Sequence, residues 1–516
     1  MPMPAEPQRP SLLSNRLFWV GVLYFAEGFP LGVFYEIFPV YFRQQGVELR
    51  QIGVLSLLGL SWTLKFLWAP AIDYFRRHRR WMAAVDVGMG AAMLYFAAQA
   101  GFGPAVWIAI GVFTLLSATH DIAVDGYTIE LLAKDELGLA NGIRIGAYRV
   151  GMLASGALLM ASDALGWGGA FVCAAVLFFG LAVVSLSAPA ERTVVVPRAA
   201  IGAELVALAR SPAAVVTVAA FALGVLWLVD RTTKWSAGAA AFWPVAFGGA
   251  AAAAVAARML AGRGARLDET PGSDPARAQP GASHSAATSG ESDPIGGVVF
   301  GALMELLRRP GIVPVLAFIL LFKLPDAAMG FMVKPFWVDS GFTAAQIGLV
   351  SVNIGLALSI AGGVAGGWIT DRIGILHALW TLGLVQAASN LGYWAAALVL
   401  PPVAAGTLVP AGHQAILYAA SALESFTGGL GTAAFLAFLM AIVRKDRAAT
   451  EYALLSSVFA LSRSVAGWAG GLGAQSMGYA NWFLLTFFFA LPALILLPWV
   501  KGMLDRTGDG AMDDRR

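Results

Sequence analysis

Apolar runs of about 20 residues follow one another along nearly the whole chain, each long enough to cross the hydrocarbon core of a bilayer as a helix. Composition agrees: 58% of the 516 residues are hydrophobic and 13% are charged, against about 25% charged in an ordinary soluble protein. The chain therefore reads as an all-α polytopic membrane protein. A net charge of +3 is too small and too dispersed to imply nucleic acid, and the Lys and Arg residues read better as orientation signals at helix ends. The single cysteine, Cys173, lies inside an apolar run, so neither a disulfide framework nor a Cys metal cluster is expected. The first apolar run carries Glu27 and lacks a small-residue cleavage site, which marks a retained helix and not a removed signal peptide.

In order, a Pro-rich tail (1–16) precedes six spans in residues 17–187, an insert (188–299), six more spans in 300–503 and a disordered tail (504–516). Within the first six, helices are expected at 17–42, 52–71, 81–100, 104–124, 143–165 and 169–186. Within the second six they are expected at 312–333, 347–369, 376–399, 416–443, 452–477 and 482–500. The insert holds two further apolar stretches, 212–229 and 237–256, long enough to be extra spans, and a Gly/Pro/Ser-rich linker, 261–296.

A repeat ties the halves together. The stretch Gly46–Arg80 returns, altered, at Gly341–Gly374, 295 residues later. Each copy has a Gly seven residues before the Gly that ends Gln-Ile-Gly (Gly53, Gly348), then an apolar span that closes on an Asp with Arg nearby. Tyr148-Arg149-Val150-Gly151 likewise matches Ser462-Arg463-Ser464-Val465. Two similar six-helix halves in one orientation are the arrangement of major facilitator transporters, with a solute site at the midplane between them. Loops bearing Arg76, Arg77, Arg79 and Arg80, then Arg372, then Arg444, Lys445 and Arg447 share one side if both termini are cytoplasmic. Arg43, Arg50, Arg231 and Lys234 run against that rule.

Ionisable residues inside the spans are functional candidates by default, because each costs several kcal/mol in the membrane interior unless paired or wetted. They are Glu27, Glu36, Lys65, His120, Asp121, Asp125, Arg149, Lys323, Asp326, Glu424 and Arg463 as candidate solute or proton ligands. Asp86, Arg144 and Lys334 are also charged, and Arg144, Lys334 and Lys65 lie close enough to helix ends to snorkel instead. Asp121 and Asp125 share a helix face, and Lys323 and Asp326 are spaced to pair. Glu27-Gly28-Phe29-Pro30-Leu31-Gly32 should weaken its helix and free backbone groups that are tolerated only beside a cavity. A carboxylate in such a cavity can take a proton from one side and release it on the other, while Arg149 and Arg463 suit an anionic solute. Asp73, Arg76 and Arg77 in one half, with Asp371 and Arg372 in the other, read as a gate motif whose charges pair and separate as the halves rock. Gly362/Gly366, Gly363/Gly367 and Gly467/Gly471 are small-residue pairs that let helices approach closely. No P-loop, HExxH or Gly-x-Ser-x-Gly motif occurs, so no enzyme chemistry, cofactor or metal is implied.

Several stretches resemble the AmpG-type permeases of the major facilitator superfamily: Leu23–Pro30, Lys65–Pro70 with Asp73, His120–Asp125, Tyr148–Leu153, Ala387–Trp394 and Gly428–Phe435. The acetyl-CoA transporters share the Lys-Phe/Leu-Leu-Trp-Ala-Pro pattern more distantly. The resemblance covers residues 17–187 and 300–500 and excludes the insert. It implies proton-coupled import of anhydro-muropeptides, the fragments of cell-wall turnover, across a bacterial inner membrane by a monomer. The chain departs from the family in reading His120 where Gln is common, in carrying Glu27 and Glu36, and in placing its extra pair of spans between the halves and not at the C-terminus. A permease for another bulky polar anion, such as a siderophore or an acyl-CoA-like molecule, and a non-transporting signalling protein are the alternatives.

Overall fold

The computed structural model describes residues 15–65, 68, 69, 72, 77–99, 102–132, 137–190, 309–403, 407–443 and 448–513. The expected insert spans, the linker, almost all of the N-terminal tail, and Asp73 and Arg76 of the gate motif lie outside the described residues.

Among the described residues, nine helices are long and apolar enough to cross a membrane, and Leu49–Leu64 is a shorter apolar one. Two of the nine turn sharply at Gly166 and Gly478 and so provide two rods each, which makes twelve. These are α1 (Arg16–Gln44), α2 (Leu49–Leu64), α3 (His78–Ala98), α4 (Pro104–Leu131), α5 (137–165), α6 (167–187), α7 (Ile312–Asp339), α8 (Ala344–Ile373), α9 (Ile375–Val399), α10 (Ala411–Ala441), α11 (448–477) and α12 (479–513, with breaks). Two expectations need correction. α4 runs on to Leu131, so His120, Asp121 and Asp125 lie inside the helix and not at its end. The tail after Met503 is helical as far as Asp513, because Met503 is buried and Arg506 donates to the Pro310 carbonyl at 3.0 Å.

The repeat is structural. Gly46 and Gly341 both take a left-handed backbone (φ 79° and 88°) where α1 and α7 end, and Gly166 and Gly478 do so between α5 and α6 and between α11 and α12 (φ 70° and 80°). Residues with a Cβ avoid that region, so glycine allows the turn in each half. Helix partners repeat too: α1 packs on α5 as α7 does on α11, and α3 packs on α4 as α9 does on α10. Within the halves, Gly28 and Gly151 bring α1 and α5 into backbone contact, and Gly362 and Gly366 do the same for α8 and α10. A Cβ on Gly363 or Gly367 would meet only open space, although the Gly363 backbone itself lies against Gly429 of α10.

The halves meet along two equivalent seams, α2 against α11 and α5 against α8. Both glycines of Gln-Ile-Gly lie on them: Gly53 abuts Gly471, and Gly348 abuts Gly156. Gly467 packs on Ser56, whose hydroxyl donates to the Ser464 carbonyl at 2.6 Å. The helix pairs that pack across the halves meet towards the end that carries the α1–α2 and α7–α8 turns, hereafter the closed end.

Overpacking a seam should therefore be costly, and filling open space should not. Gly348→Leu is expected to destabilise the protein by about 1–3 kcal/mol, whereas Gly367→Leu leaves the thermal midpoint in detergent unchanged. Differential scanning fluorimetry of the two variants checks this.

Candidate functional site

The charged residues of the spans gather into three groups. In the N-terminal half, Lys65 at the end of α2 lies 3.7 Å from Asp121 and 3.8 Å from Asp125 of α4. One turn of spacing puts both carboxylates on one face, as expected. Arg144 of α5 reaches Asp125 at 3.0 Å, and Tyr24 of α1 donates to the same carboxylate at 2.6 Å. Arg144 also lies over the Tyr24 ring, 4.6 Å from its centre. Lys65 and Arg144 are thus paired, not snorkelling. Trp68 adds a bond from its indole N–H to Thr119 at 3.1 Å, which fixes the end of α2 on α4.

Glu27 of α1 lies within the field of Lys65, Asp121, Asp125 and Arg144, yet has no cation at ion-pair distance among the described residues. It is buried, and its Oε2 accepts no hydrogen bond among them. The expected weakening of α1 at this point does not occur. The helix continues through Pro30 to Gly32, because Gly28 and Gly32 are consumed by close packing on Tyr148 and Ser155. The irregularity comes just after, as a π-turn at Val33–Ile37 that contains Glu36.

His120 belongs elsewhere. It points into the bundle, 3.4 Å from Asp86 of α3, with both side chains fully buried, and Ser185 of α6 donates to Asp86 at 3.1 Å. His120, Asp86 and Ser185 thus bring three helices together, while Asp121, the next residue along α4, faces Lys65. Among the described residues no group of His, Cys, Asp and Glu could hold a metal ion.

In the C-terminal half, α7 breaks at Lys323, and Pro325 starts its second segment. The break turns the Lys323 ammonium to Asp326 (3.2 Å), Gln386 of α9 (2.9 Å) and Thr432 of α10 (2.8 Å), so the expected Lys323–Asp326 pair forms within a larger set of acceptors. Glu424 of α10 accepts from Ser425 at 3.4 Å.

The third group spans both halves. Arg149 and Arg463 lie about 20 Å along α5 and α11, near mid-membrane depth. They are close enough to feel each other's charge, and neither has an ion-pair partner among the described residues. Arg463 stacks over Tyr35 of α1, 4.6 Å from its centre. Tyr35 in turn lies against Trp62 of α2 and Phe331 of α7.

Sequence reasoning missed Tyr24, Gln386, Thr432 and Tyr35, all of which act as neutral partners of charges. For Tyr24 there was a signal: it lies one helical turn before Glu27 in the same motif. Arg43, which the sequence marks as an exception to the charge-orientation rule, also has a partner. It pairs with Asp339 at 2.6 Å, and that carboxylate accepts from Tyr479 at 2.7 Å. Arg50 pairs with Glu48 at 3.5 Å. Of the gate motif, Arg372 lies over its own Trp368, 3.8 Å from the ring centre, and Asp371 makes no ion pair among the described residues.

Lys323 is the most fully satisfied of these charges, so Lys323→Met should destabilise the protein by about 3 kcal/mol, the cost of removing one member of a buried pair. Asp326→Asn in the same chain is expected to recover part of that loss, because no carboxylate is then stranded. Thermal midpoints of the single and double variants test both statements.

No protein-family model matches the chain. Among curated proteins, it is 26% identical over 499 residues to the anhydromuropeptide permease of Escherichia coli K12, covering 94% of this chain and 80% of that one. It is 22% identical to putative transporter AmpG 4 of Rickettsia conorii, covering 94% and 96%. The family resemblance drawn from the motifs thus holds along both halves. Among solved structures, the POT family transporter PepTSo superposes with a TM-score of 0.62 at 12% identity, covering 96% of this chain and 99% of that one. That likeness establishes the fold expected from the repeat.

Proposed function

From a chain related to the AmpG-type permeases and folded as a secondary transporter, we propose a proton-coupled importer of anhydro-muropeptides. The chain is an integral protein of the bacterial inner membrane and a transporter of small solutes, not an enzyme. The observation that carries the solute reading is the pair Arg149 and Arg463, one from each half, which share the space between the halves without a carboxylate partner. A guanidinium pair at mid-depth suits a solute carboxylate, and Tyr35 beside Arg463 offers an aromatic face for a ring.

Proton coupling rests on charge balance. The N-terminal cluster holds three carboxylates, Glu27, Asp121 and Asp125, against two cations, Lys65 and Arg144. An uncompensated charge in the membrane interior is costly, so the cluster is balanced when one carboxylate carries a proton. Glu27 is the carboxylate without an ion-pair partner and is the proposed carrier. With both termini cytoplasmic, the closed end is periplasmic. On that reading Asp371 and Arg372 belong to the cytoplasmic side.

Uptake of labelled anhydro-muropeptide into vesicles under an imposed proton gradient tests the assignment. Arg149→Gln and Arg463→Gln are each expected to raise the half-saturation concentration about tenfold or more, the effect of losing one charge-assisted hydrogen bond. Glu27→Gln should abolish gradient-driven accumulation while leaving solute exchange between preloaded vesicles intact. Absence of uptake by the unmodified protein, with uptake of a siderophore or acyl-CoA instead, would overturn the solute assignment.

A further inference from the structure

At the closed end each half completes a helix terminus of the other. The first amides of a helix have no partner within it and need an acceptor from outside. At α8, Thr343 accepts from the Gln346 N–H within its own half, and Asp163 of α5, in the other half, adds a second cap: its carboxylate accepts from the Ala345 N–H at 2.8 Å. For α2 the acceptor is Gln475 of α11, again in the other half, whose Oε1 accepts from the Leu49 N–H at 3.1 Å. Asp163 and Gln475 occupy matching places, each three residues before the left-handed glycine that ends its helix, Gly166 and Gly478. Their targets match as well, since α2 and α8 start just after Gly46 and Gly341. The exchange is reciprocal and follows the repeat.

Between the two caps lies a buried ion pair that also crosses the halves. Glu36 of α1 and Lys334 of α7 are 2.9 Å apart with side chains 19% and 11% exposed, and Lys334 donates to Ser351 of α8 at 2.7 Å. Glu36 sits in the π-turn of α1 and Ser351 in the π-helical stretch of α8 (Ile347–Ile354), irregular turns that set these side chains towards each other. Glu36 is engaged here, and Lys334 is buried and not snorkelling.

We infer that Asp163, Gln475, Glu36 and Lys334 are the gating residues of the closed end: two caps given in trans and one buried ion pair that hold the halves together there and release when the transporter opens at that end. Parting the halves strips α2 and α8 of one cap each and separates Glu36 from Lys334. Water entering the opened seam takes over those bonds, so the contacts favour one state without forbidding the other.

The test reads the gate without any solute. Spin labels on Gln45→Cys and Leu408→Cys, exposed positions of opposite halves at the closed end, are placed in the Cys173→Ser protein in lipid, and their separation is measured by double electron–electron resonance. Asp163→Ala, Gln475→Ala and Glu36→Gln are each expected to raise the ratio of long to short distances about tenfold, the effect of a 1.4 kcal/mol change in the balance of two states. Asp163→Asn and Gln475→Glu keep an acceptor oxygen and should keep the short distance. The exchanged pair Glu36→Lys with Lys334→Glu should restore it, and Glu48→Gln, whose partner Arg50 is in the same turn, should not change it. Unchanged distances in the two alanine variants, or opening by Asp163→Asn as large as by Asp163→Ala, would overturn the assignment. A variant that does not fold is replaced by its conservative counterpart, which must hold the short distance. Because no solute takes part, a failure of muropeptide uptake leaves this result standing, and the reverse also holds.

Discussion

Hydrocarbon offers no partner to a polar group, and the arrangement of this protein follows from that. Backbone groups turn inward into helices, and ionisable side chains within the spans are matched against one another. Lys65 and Arg144 share the carboxylates of α4, Lys323 has three acceptors, and Lys334 has Glu36 and Ser351. Against that background the few charges left unmatched are informative. Glu27, Glu424, Arg149 and Arg463 have no ion-pair partner among the described residues, and Arg149 and Arg463 come one from each half. A transporter needs groups whose partners are its cargo, and such groups stay unsatisfied between cargoes.

The same constraint governs how the helices hold together. Lipid tails are as apolar as Leu, so helices gain nothing from merely burying apolar surface against one another, and close backbone approach takes over. Glycine provides it inside the halves, at α1/α5 and α8/α10, and between them, at α2/α11 and α5/α8. The inner seams are permanent, whereas the outer ones must part in any alternating-access cycle. The outer seams add directional polar contacts: caps given in trans, the Ser56 bond and the Glu36–Lys334 pair. Contacts of this kind can be exchanged for water, while interdigitated side chains cannot.

The two halves share a scaffold and divide the chemistry. The N-terminal half concentrates carboxylates around α1, α2 and α4, and the C-terminal half builds around one lysine at a broken helix. His120 shows how one step along a helix changes a role. Asp121 faces Lys65, while its neighbour His120 is turned by about 100° into the bundle and meets Asp86. A helix with polar residues on adjacent faces serves a cavity on one side and structural cohesion on the other.

By itself the sequence determined the membrane class, the two sets of six spans seen among the described residues, the twofold repeat and the pairing of residues close along one helix, such as Lys323 with Asp326. These depend on local quantities: run length, glycine spacing and the helical period. It also carried the resemblance to the AmpG-type permeases, through motifs that follow in order along both halves. Only the tertiary structure decided which side chains meet across helices. It placed His120 with Asp86, set Arg43 against Asp339 and paired Glu36 with Lys334. The physical reason is that a partner hundreds of residues away leaves no periodic trace near its mate. Whether a buried charge is matched or waiting for cargo depends on how two rigid halves are set against each other, and that is a property of their packing.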